Sequence, residues 1–247
     1  MCLMSEKPKY LYKYHQMNLH LMEMLTNAKF YMSKRSDLND PLDSTFAISL
    51  ESYLKLYYEK YPSLKSNKEH VELVSSIFKS EIERGESSWI NTIDELYSKL
   101  RVSCFTEDGN NPLMWSHYAQ NHTGVCLKFE LSKDPNLEKA INPVSYIDEF
   151  IDINGAEDFR KCLLSKVKTW SVEKEWRIIS EKERFPFKQE ALIQIIFGLK
   201  VPDSTLTWFT QFRENVYYMH APIYRLKVRK NKLILIDEWD EVVVDDL

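Results

Sequence analysis

The stretch RVSCFTEDGNNPLMWSHYAQNHTGVCLKFEL, residues 101–131, decides how the chain is read. Residues 101–106 read as a strand, followed by a polar turn. Residues 112–121 read as a short helix with Pro112 in its first turn, where the missing N–H does no harm. Gly124 marks a second turn and residues 125–131 a second strand. Two strands joined through a short helix put a sheet at the centre of the fold. Trp115, His117, Tyr118, His122 and Cys126 crowd into the same segment, which is expected to form one wall of an active or binding cleft.

Outward from there, residues 9–15 (KYLYKYH) alternate aromatic and polar side chains, the pattern of a half-buried strand. Met17, Leu21, Met24, Leu25 and Ala28 recur at helical spacing over 17–28, and 29–33 (KFYMS) is a short strand. Asn39-Asp40-Pro41 is a turn, because Asn and Asp side chains bond nearby backbone and Pro fixes φ. Residues 45–99 carry three apolar stripes, opened by Phe46, Val71 and Ile93, and predict a helical insertion at about residues 45–100. Further strands are expected at 143–147, 175–180, 192–197, 216–219, 224–228 and 233–236. Helices are expected at 155–169 and 204–215, and a frayed acidic tail at 240–247. Strands in two runs separated by helices, without regular βα alternation, predict the α+β class. The sheet is expected to be mixed and largely antiparallel, either continuous or split, in a single domain over 1–247.

A chain of 247 residues can bury a real core. With 5 Gly and 9 Pro it leaves little room for long disordered linkers. A net charge of -4 argues against a protein that coats nucleic acid, though a local basic groove stays open. Cys2, Cys104, Cys126 and Cys162 show no C-x-x-C pair and no disulfide framework, as expected of a reducing cytosol. The opening MCLMSEKPKY lacks the apolar core of a signal peptide, and no window approaches the roughly 18 apolar residues of a membrane span. A cytoplasmic protein without membrane contact is the expectation.

No G-x-G-x-x-G, GK[ST] phosphate loop, H-E-x-x-H or G-x-S-x-G occurs, which argues against dehydrogenase, P-loop and α/β-hydrolase chemistry. Trp115 and Tyr118, three apart, share a helical face. That face is either core or an aromatic wall on which a flat ring stacks, such as nicotinamide or a base. His117 and His122 are five apart, about 140° around a helix, and with Cys126 they make a poor zinc set, so no metal is expected. Glu173, Glu175 and Arg177 alternate in WSVEKEWRI (170–178), so a strand would put all three on one face. Such a face is either a solvated edge or a polar wall. In the second case a carboxylate stabilises developing positive charge while the Arg orients it or grips a phosphate. Lys13, between Tyr12 and Tyr14, either meets a phosphate or carboxylate or snorkels between two rings.

Taken in order, several motifs resemble a bacterial family catalogued as domain of unknown function 2971. They are YKYH (12–15), LNDPLD (38–43), CFTED (104–108), MWSHYAQNHTGVCLKF (114–129), K-x-x-x-W-x-x-E-x-E-W-R (166–177) and IIFG (195–198). Thr106 stands where Ser is expected after Cys-Phe, and keeps the hydroxyl. The family implies no function. A second resemblance is to ADP-ribosyltransferases. These place a basic residue or His on the first strand, a Tyr or a hydroxyl-bearing stretch in a middle strand and helix, and a Glu, often from E-x-E, on a later strand. This implies Lys13 or His15 in the first role, Thr106 and Tyr118 in the second, and Glu173 and Glu175 in the third. Trp115, His122 and Arg177 would help to hold the dinucleotide.

The implied protein is a cytosolic bacterial effector, in a toxin or anti-phage system, that consumes NAD as a substrate without a metal. Its acceptor would be a protein or nucleic acid, with a regulatory protein as a further partner. Two alternatives stay open. One is a non-catalytic sensor that binds a nucleotide or a protein in the same cleft. The other is a nuclease whose Glu173, Glu175 and Asp40 or Asp43 hold Mg²⁺ through oxygens. The enzyme reading requires Tyr118, Glu175 and the strand of Lys13 and His15 to converge on one cleft.

Overall fold

The first strand, β1 (Tyr10–His15), keeps the expected alternation, with Leu11, Lys13 and His15 on one face and Tyr12 and Tyr14 on the other. The structure, a computed structural model, describes residues 6–86, 88–214, 220–230, 232–237 and 243–244. Helix α1 (Leu19–Asn27) starts at Asn18, whose side chain accepts from the Leu21 N–H, and stops where Ala28 turns left-handed at φ 49°. It is shorter at both ends than the expected 17–28. β2 (Lys29–Tyr31) follows. β3 (Phe46–Ala47) then leads into the expected helical insertion: α2 (Leu50–Lys60), α3 (Lys68–Glu83) and α4 (Trp89–Leu96).

The central stretch gives β4 (Arg101–Thr106), α5 (Pro112–His117) and β5 (Val125–Glu130). The helix falls short of the expected 112–121 because Gln120, Asn121 and His122 all take positive φ (50°, 54° and 68°). No right-handed helix accommodates that run. After α6 (Pro135–Ala140), the strand expected at 143–147 divides into β6 (Ile141–Pro143) and β7 (Ser145–Ile147), followed by β8 (Ile151–Asp152). The helix expected at 155–169 is instead α7 (Ala156–Leu163), β9 (Ser165–Val167) and a 3-10 turn (Lys168–Glu173). The chain continues as β10 (Glu175–Ser180), β11 (Arg184–Pro186), β12 (Leu192–Phe197), α8 (Asp203–Glu214), β13 (Ile223–Arg229), β14 (Lys232–Asp237) and β15 (Val243–Val244). The strand expected at 216–219, and the acidic tail apart from 243–244, lie outside the described residues.

Nine strands form one sheet in the order β15-β14-β13-β12-β5-β1-β4-β10-β6. Among the described residues of this sheet only β12 and β13 are parallel neighbours, so the fold is α+β with a mixed, largely antiparallel sheet. β1 pairs with β5 from Tyr10↔Glu130 through His15↔Val125, and β4 pairs with β10 from Arg101↔Ser180 through Thr106↔Glu175. Between β1 and β4 the register holds at Tyr12↔Thr106 alone. The sheet is continuous in order but opens along this seam.

One face of the sheet packs Leu11, Phe105, Leu127 and Phe129 under α1, with Phe30 edge-on to both Phe105 and Phe129. The other face carries two separate apolar clusters. Tyr12, Tyr14 and Cys126 pack with Trp115 of α5. Val102 packs with Leu56, Phe78 and Ile93 of the helical insertion. The seam lies between these two clusters, so hydrophobic packing covers its flanks and leaves it uncovered.

Gly124 shows how closely the central turn presses on β1: a Cβ there would lie 2.3 Å from the His15 carbonyl oxygen. Gly124→Ala is therefore expected to lower stability by about 1–3 kcal/mol, read as a fall in the urea midpoint. Gly155→Ala serves as the control, since a Cβ there meets nothing within 4 Å. Its change should stay within about 0.5 kcal/mol.

Candidate active site

The seam encloses a cavity of about 130 Å³. Tyr12, Lys13 and Tyr14 line it from β1, Cys104, Phe105 and Thr106 from β4, and Met114 and Tyr118 from the α5 segment. Leu38, Asn39 and Asp43 close it from the turn, and Lys166, Glu173 and Glu175 from below. A shallower cavity of about 250 Å³ shares Lys13, Tyr14 and Tyr118 and adds His15, Asn18, His20 and Tyr31. The Lys13 side-chain nitrogen reaches across the seam and donates to Ser103 Oγ at 3.0 Å and the Cys104 carbonyl at 2.9 Å. It thus supplies a link where the backbone ladder is missing.

Beneath the cavity lies a buried ionic cluster. Arg177, with no exposed surface, donates from Nε and Nη2 to the two oxygens of Glu175 at 2.8 and 2.9 Å. Its Nη1 and Nη2 also reach the two oxygens of Asp43 at 2.8 and 2.6 Å. Ser44 Oγ and the Leu163 carbonyl take the remaining bonds, so the planar fork is fully used. Asp43 is delivered by the Asn39-Asp40-Pro41 turn, whose Asp40 carboxylate accepts from the Leu42 N–H. Lys166, on β9, lies 2.5 Å from Glu173 Oε2, 3.2 Å from Glu175 Oε2 and 3.5 Å from Asp43 Oδ2. The Tyr118 hydroxyl donates to Glu173 Oε1 at 2.8 Å. Thr106 Oγ1 donates to the Glu173 carbonyl at 2.6 Å and fixes that turn to β4.

These contacts set the protonation states. Burial favours the neutral form of Glu175, but Arg177 and then Lys166 outweigh it and hold the carboxyl at about 2. Burial likewise opposes the charge on Lys166, and Glu175 and Glu173 overcome it, raising the ammonium above the ordinary lysine range. Burial pushes the Tyr118 phenol up, so it is a neutral donor at neutral pH. Lys13 goes the other way: burial lowers it.

Lys13, Thr106, Tyr118, Glu173 and Glu175 therefore meet at one cavity, and His15 lines the adjoining one. Three expectations need correction. Trp115 is fully buried, edge-on to Tyr14 and stacked on His122, so it is core and offers no ring face to a ligand. His122 sits on the left-handed turn against Trp115 and lines neither cavity, and its Nδ1 is buried without a partner. Arg177 is spent on Asp43 and Glu175 and has no donor left for a phosphate.

Glu173 also does not share a strand with Glu175. It ends the 3-10 turn, and Lys174 at φ 44° swings the chain so that both carboxylates still reach Lys166. The carboxylate trio of the Mg²⁺ reading does assemble, with Asp43 rather than Asp40, but the Lys166 ammonium occupies its centre. Among the described residues no group of three His, Cys, Asp or Glu is disposed to hold a metal ion. Lys166 and Asn39 went unassigned in the sequence although both fall inside recognisable motifs, K-x-x-x-W and LNDPLD.

The sign of the Glu175 shift gives a pH dependence. Its folded pKa of about 2 lies below the unfolded carboxyl value of about 4.3. The stabilisation is therefore present above about pH 4.3 and is lost as pH falls toward 2, by about 3 kcal/mol in all. Urea unfolding across that acid window should show the loss, and Glu175→Gln should start less stable and lose less.

No curated protein and no solved structure matches the chain. Among the described residues no helix is long and apolar enough to cross a membrane. Residues 114–178 match the family model described as Protein of unknown function (DUF2971). That span takes in Tyr118, Lys166, Glu173, Glu175 and Arg177, and leaves out Lys13 and Asp43. The family the sequence resembles is the family it matches, over the segment that carries the Tyr118–Glu173 contact and most of the ionic cluster.

Proposed function

We propose that the protein is an NAD-consuming enzyme of the ADP-ribosyltransferase kind. One observation carries the reading: Lys13 on the first strand, Tyr118 after the middle helix, and Glu173 and Glu175 before and on a later strand converge on one cavity. At about 130 Å³ that cavity is close to the roughly 150 Å³ that hold one benzene ring in an engineered protein interior. It suits a nicotinamide ring between tyrosines, and the remainder of the dinucleotide would lie over the shallower cavity of Asn18, His20 and Tyr31.

Three carboxylates face two cations in the cluster, which leaves one negative charge in excess. The excess favours the pyridinium ring, and then the positive charge on the ribose as its C–N bond to nicotinamide breaks. Nicotinamide leaves with the bonding electrons. The acceptor's nucleophile bonds to the same ribose carbon and gives its proton to a carboxylate. Glu173 is better placed than Glu175 for that task. Glu175 accepts on both oxygens from Arg177 and again from Lys166, whereas Glu173 accepts once on each oxygen, once from Tyr118. On this reading Glu175 is a positioning residue.

The free Cys104, Cys126 and Cys162 accord with a reducing cytoplasm. There the enzyme would serve as a toxin or defence effector on a protein or nucleic-acid acceptor, under the control of a partner protein. Nicotinamide release from NAD, measured in a lysate that supplies acceptors and partners, tests the reading. Glu173→Gln and Tyr118→Phe should each cut release by about 100-fold while the fold persists. Release equal to that of a protein-free lysate overturns it. The internal pairing of nearly every charge favours a second reading, a sensor that binds without turnover. It predicts a rise in melting temperature with NAD and no nicotinamide release.

A further inference from the structure

We infer that Lys13 is a nucleophilic amine, and that the seam cavity takes an aldehyde or ketone bearing one small ring, which Lys13 holds as an imine. The inference does not rest on the NAD reading.

Two lysines line the same cavity, and their surroundings are opposite. Lys166 has three carboxylates within ion-pair reach. Among the described residues Lys13 has none, and its nitrogen meets only Ser103 Oγ and the Cys104 carbonyl. An ammonium carries three N–H donors, and the protein supplies acceptors to two of them. The ring of Phe105, 4.9 Å from the nitrogen, compensates such a charge only weakly. A neutral amine carries two N–H donors, which these two acceptors satisfy, and its lone pair remains free. Lys13 borders both cavities, so the amine is within reach of a ligand that enters either. Burial lowers its pKa in the same sense and outweighs the opposing influence of Cys104 and Glu175. A desolvated lysine with no carboxylate in contact is a usual way for a protein to make this side chain nucleophilic.

The chemistry needs no metal and no redox partner. The lone pair of Nζ attacks the carbonyl carbon and the N–C bond forms. The carbonyl oxygen takes up a proton and then leaves as water, which carries away both hydrogens of the amine. The Tyr118 hydroxyl, held on Glu173, borders both cavities and stands ready as the proton donor to that oxygen. The cavity volume limits the carbonyl compound to about one six-membered ring.

The alternative is that Lys13 only bolts β1 to β4. Labelling of the intact protein separates the two. The full chain is treated with benzaldehyde and sodium cyanoborohydride between about pH 6 and 9, and each lysine is followed by peptide mass spectrometry. The same protein in urea supplies the reference rate for each site. In the folded protein Lys13 should outpace the exposed lysines near neutral pH, by roughly threefold for each unit its pKa is lowered, because the roughly tenfold gain in neutral amine is partly offset by its lower basicity. Its pH midpoint should lie below that of Lys13 in urea, and Tyr118→Phe should slow Lys13 without slowing the exposed lysines. Overturning results are a folded-state rate at Lys13 no greater than at exposed lysines, or a midpoint unchanged from urea. Either result leaves nicotinamide release, measured separately, untouched.

Discussion

A guanidinium with no exposed surface constrains the rest of this structure. Arg177 joins β10, the turn that presents Asp43, and the end of α7 at Leu163. A buried ion pair is poor evidence of net stability, because desolvation consumes most of the Coulomb gain. Removing one partner is another matter. Without Arg177, the carboxylates of Asp43 and Glu175 would face each other in a place where water cannot screen them, with Lys166 alone between them. What the clasp provides is therefore geometry. It fixes three segments, far apart in the chain, at hydrogen-bond precision around one point, and it keeps Glu175 ionised.

From that point the order passes outward by contact. Glu175 and Asp43 hold Lys166, Lys166 holds Glu173, and Glu173 holds the Tyr118 hydroxyl. Each step uses one polar group to aim the next, so Tyr118 is positioned by a residue it does not touch. A different contact bears on the opening of the sheet between β1 and β4. A missing ladder normally leaves buried N–H and C=O groups unpaired, at a cost of about 1–3 kcal/mol each. Here the Lys13 nitrogen takes up the Cys104 carbonyl. The seam is thus an opening at which a side chain takes up a strand carbonyl that the ladder leaves free.

The sheet was largely legible in the sequence because its strands carry period-two patterns bounded by turn residues, as in residues 9–15 and 101–106. The helical insertion was legible for the same reason at period 3.6. The failures share a cause. Residues 164–169 belong to the helix expected at 155–169, yet the chain there must bring Lys166 and Glu173 to one carboxylate cluster, and β9, a 3-10 turn and a left-handed Lys174 do so. Residues 118–121 belong to the end of the helix expected at 112–121, but the backbone reverses at Gln120, Asn121 and His122, three left-handed residues that no local pattern marks. Tertiary contact overrode local propensity at both places. Lys166 was invisible as a site residue because a lone lysine carries no signal until its three carboxylates are known. Trp115 misled for the converse reason: a large aromatic reads alike on a core face and on a ligand-facing wall.

The two lysines of the seam show why residue type alone does not name a role. Charge on a buried amine is decided by what lies within a few ångströms of it. Lys166 stands among three carboxylates and remains a cation, a fixed part of the scaffold. Lys13 stands between a hydroxyl and a carbonyl, over an aromatic ring, and is pushed toward neutrality. Their difference depends on the strand register. Lys13 lies on the opposite face of β1 from Tyr12 and Tyr14, so it approaches the cavity through the seam, with no carboxylate in ion-pair contact among the described residues. A one-residue slip of β1 would bring it to the face of Glu175, where it would become a second scaffold cation. The single pairing of Tyr12 with Thr106 prevents that slip on the β4 side, and the pairing with β5 prevents it on the other. The sheet register therefore sets the chemistry of the cavity as directly as the identity of the side chains that line it.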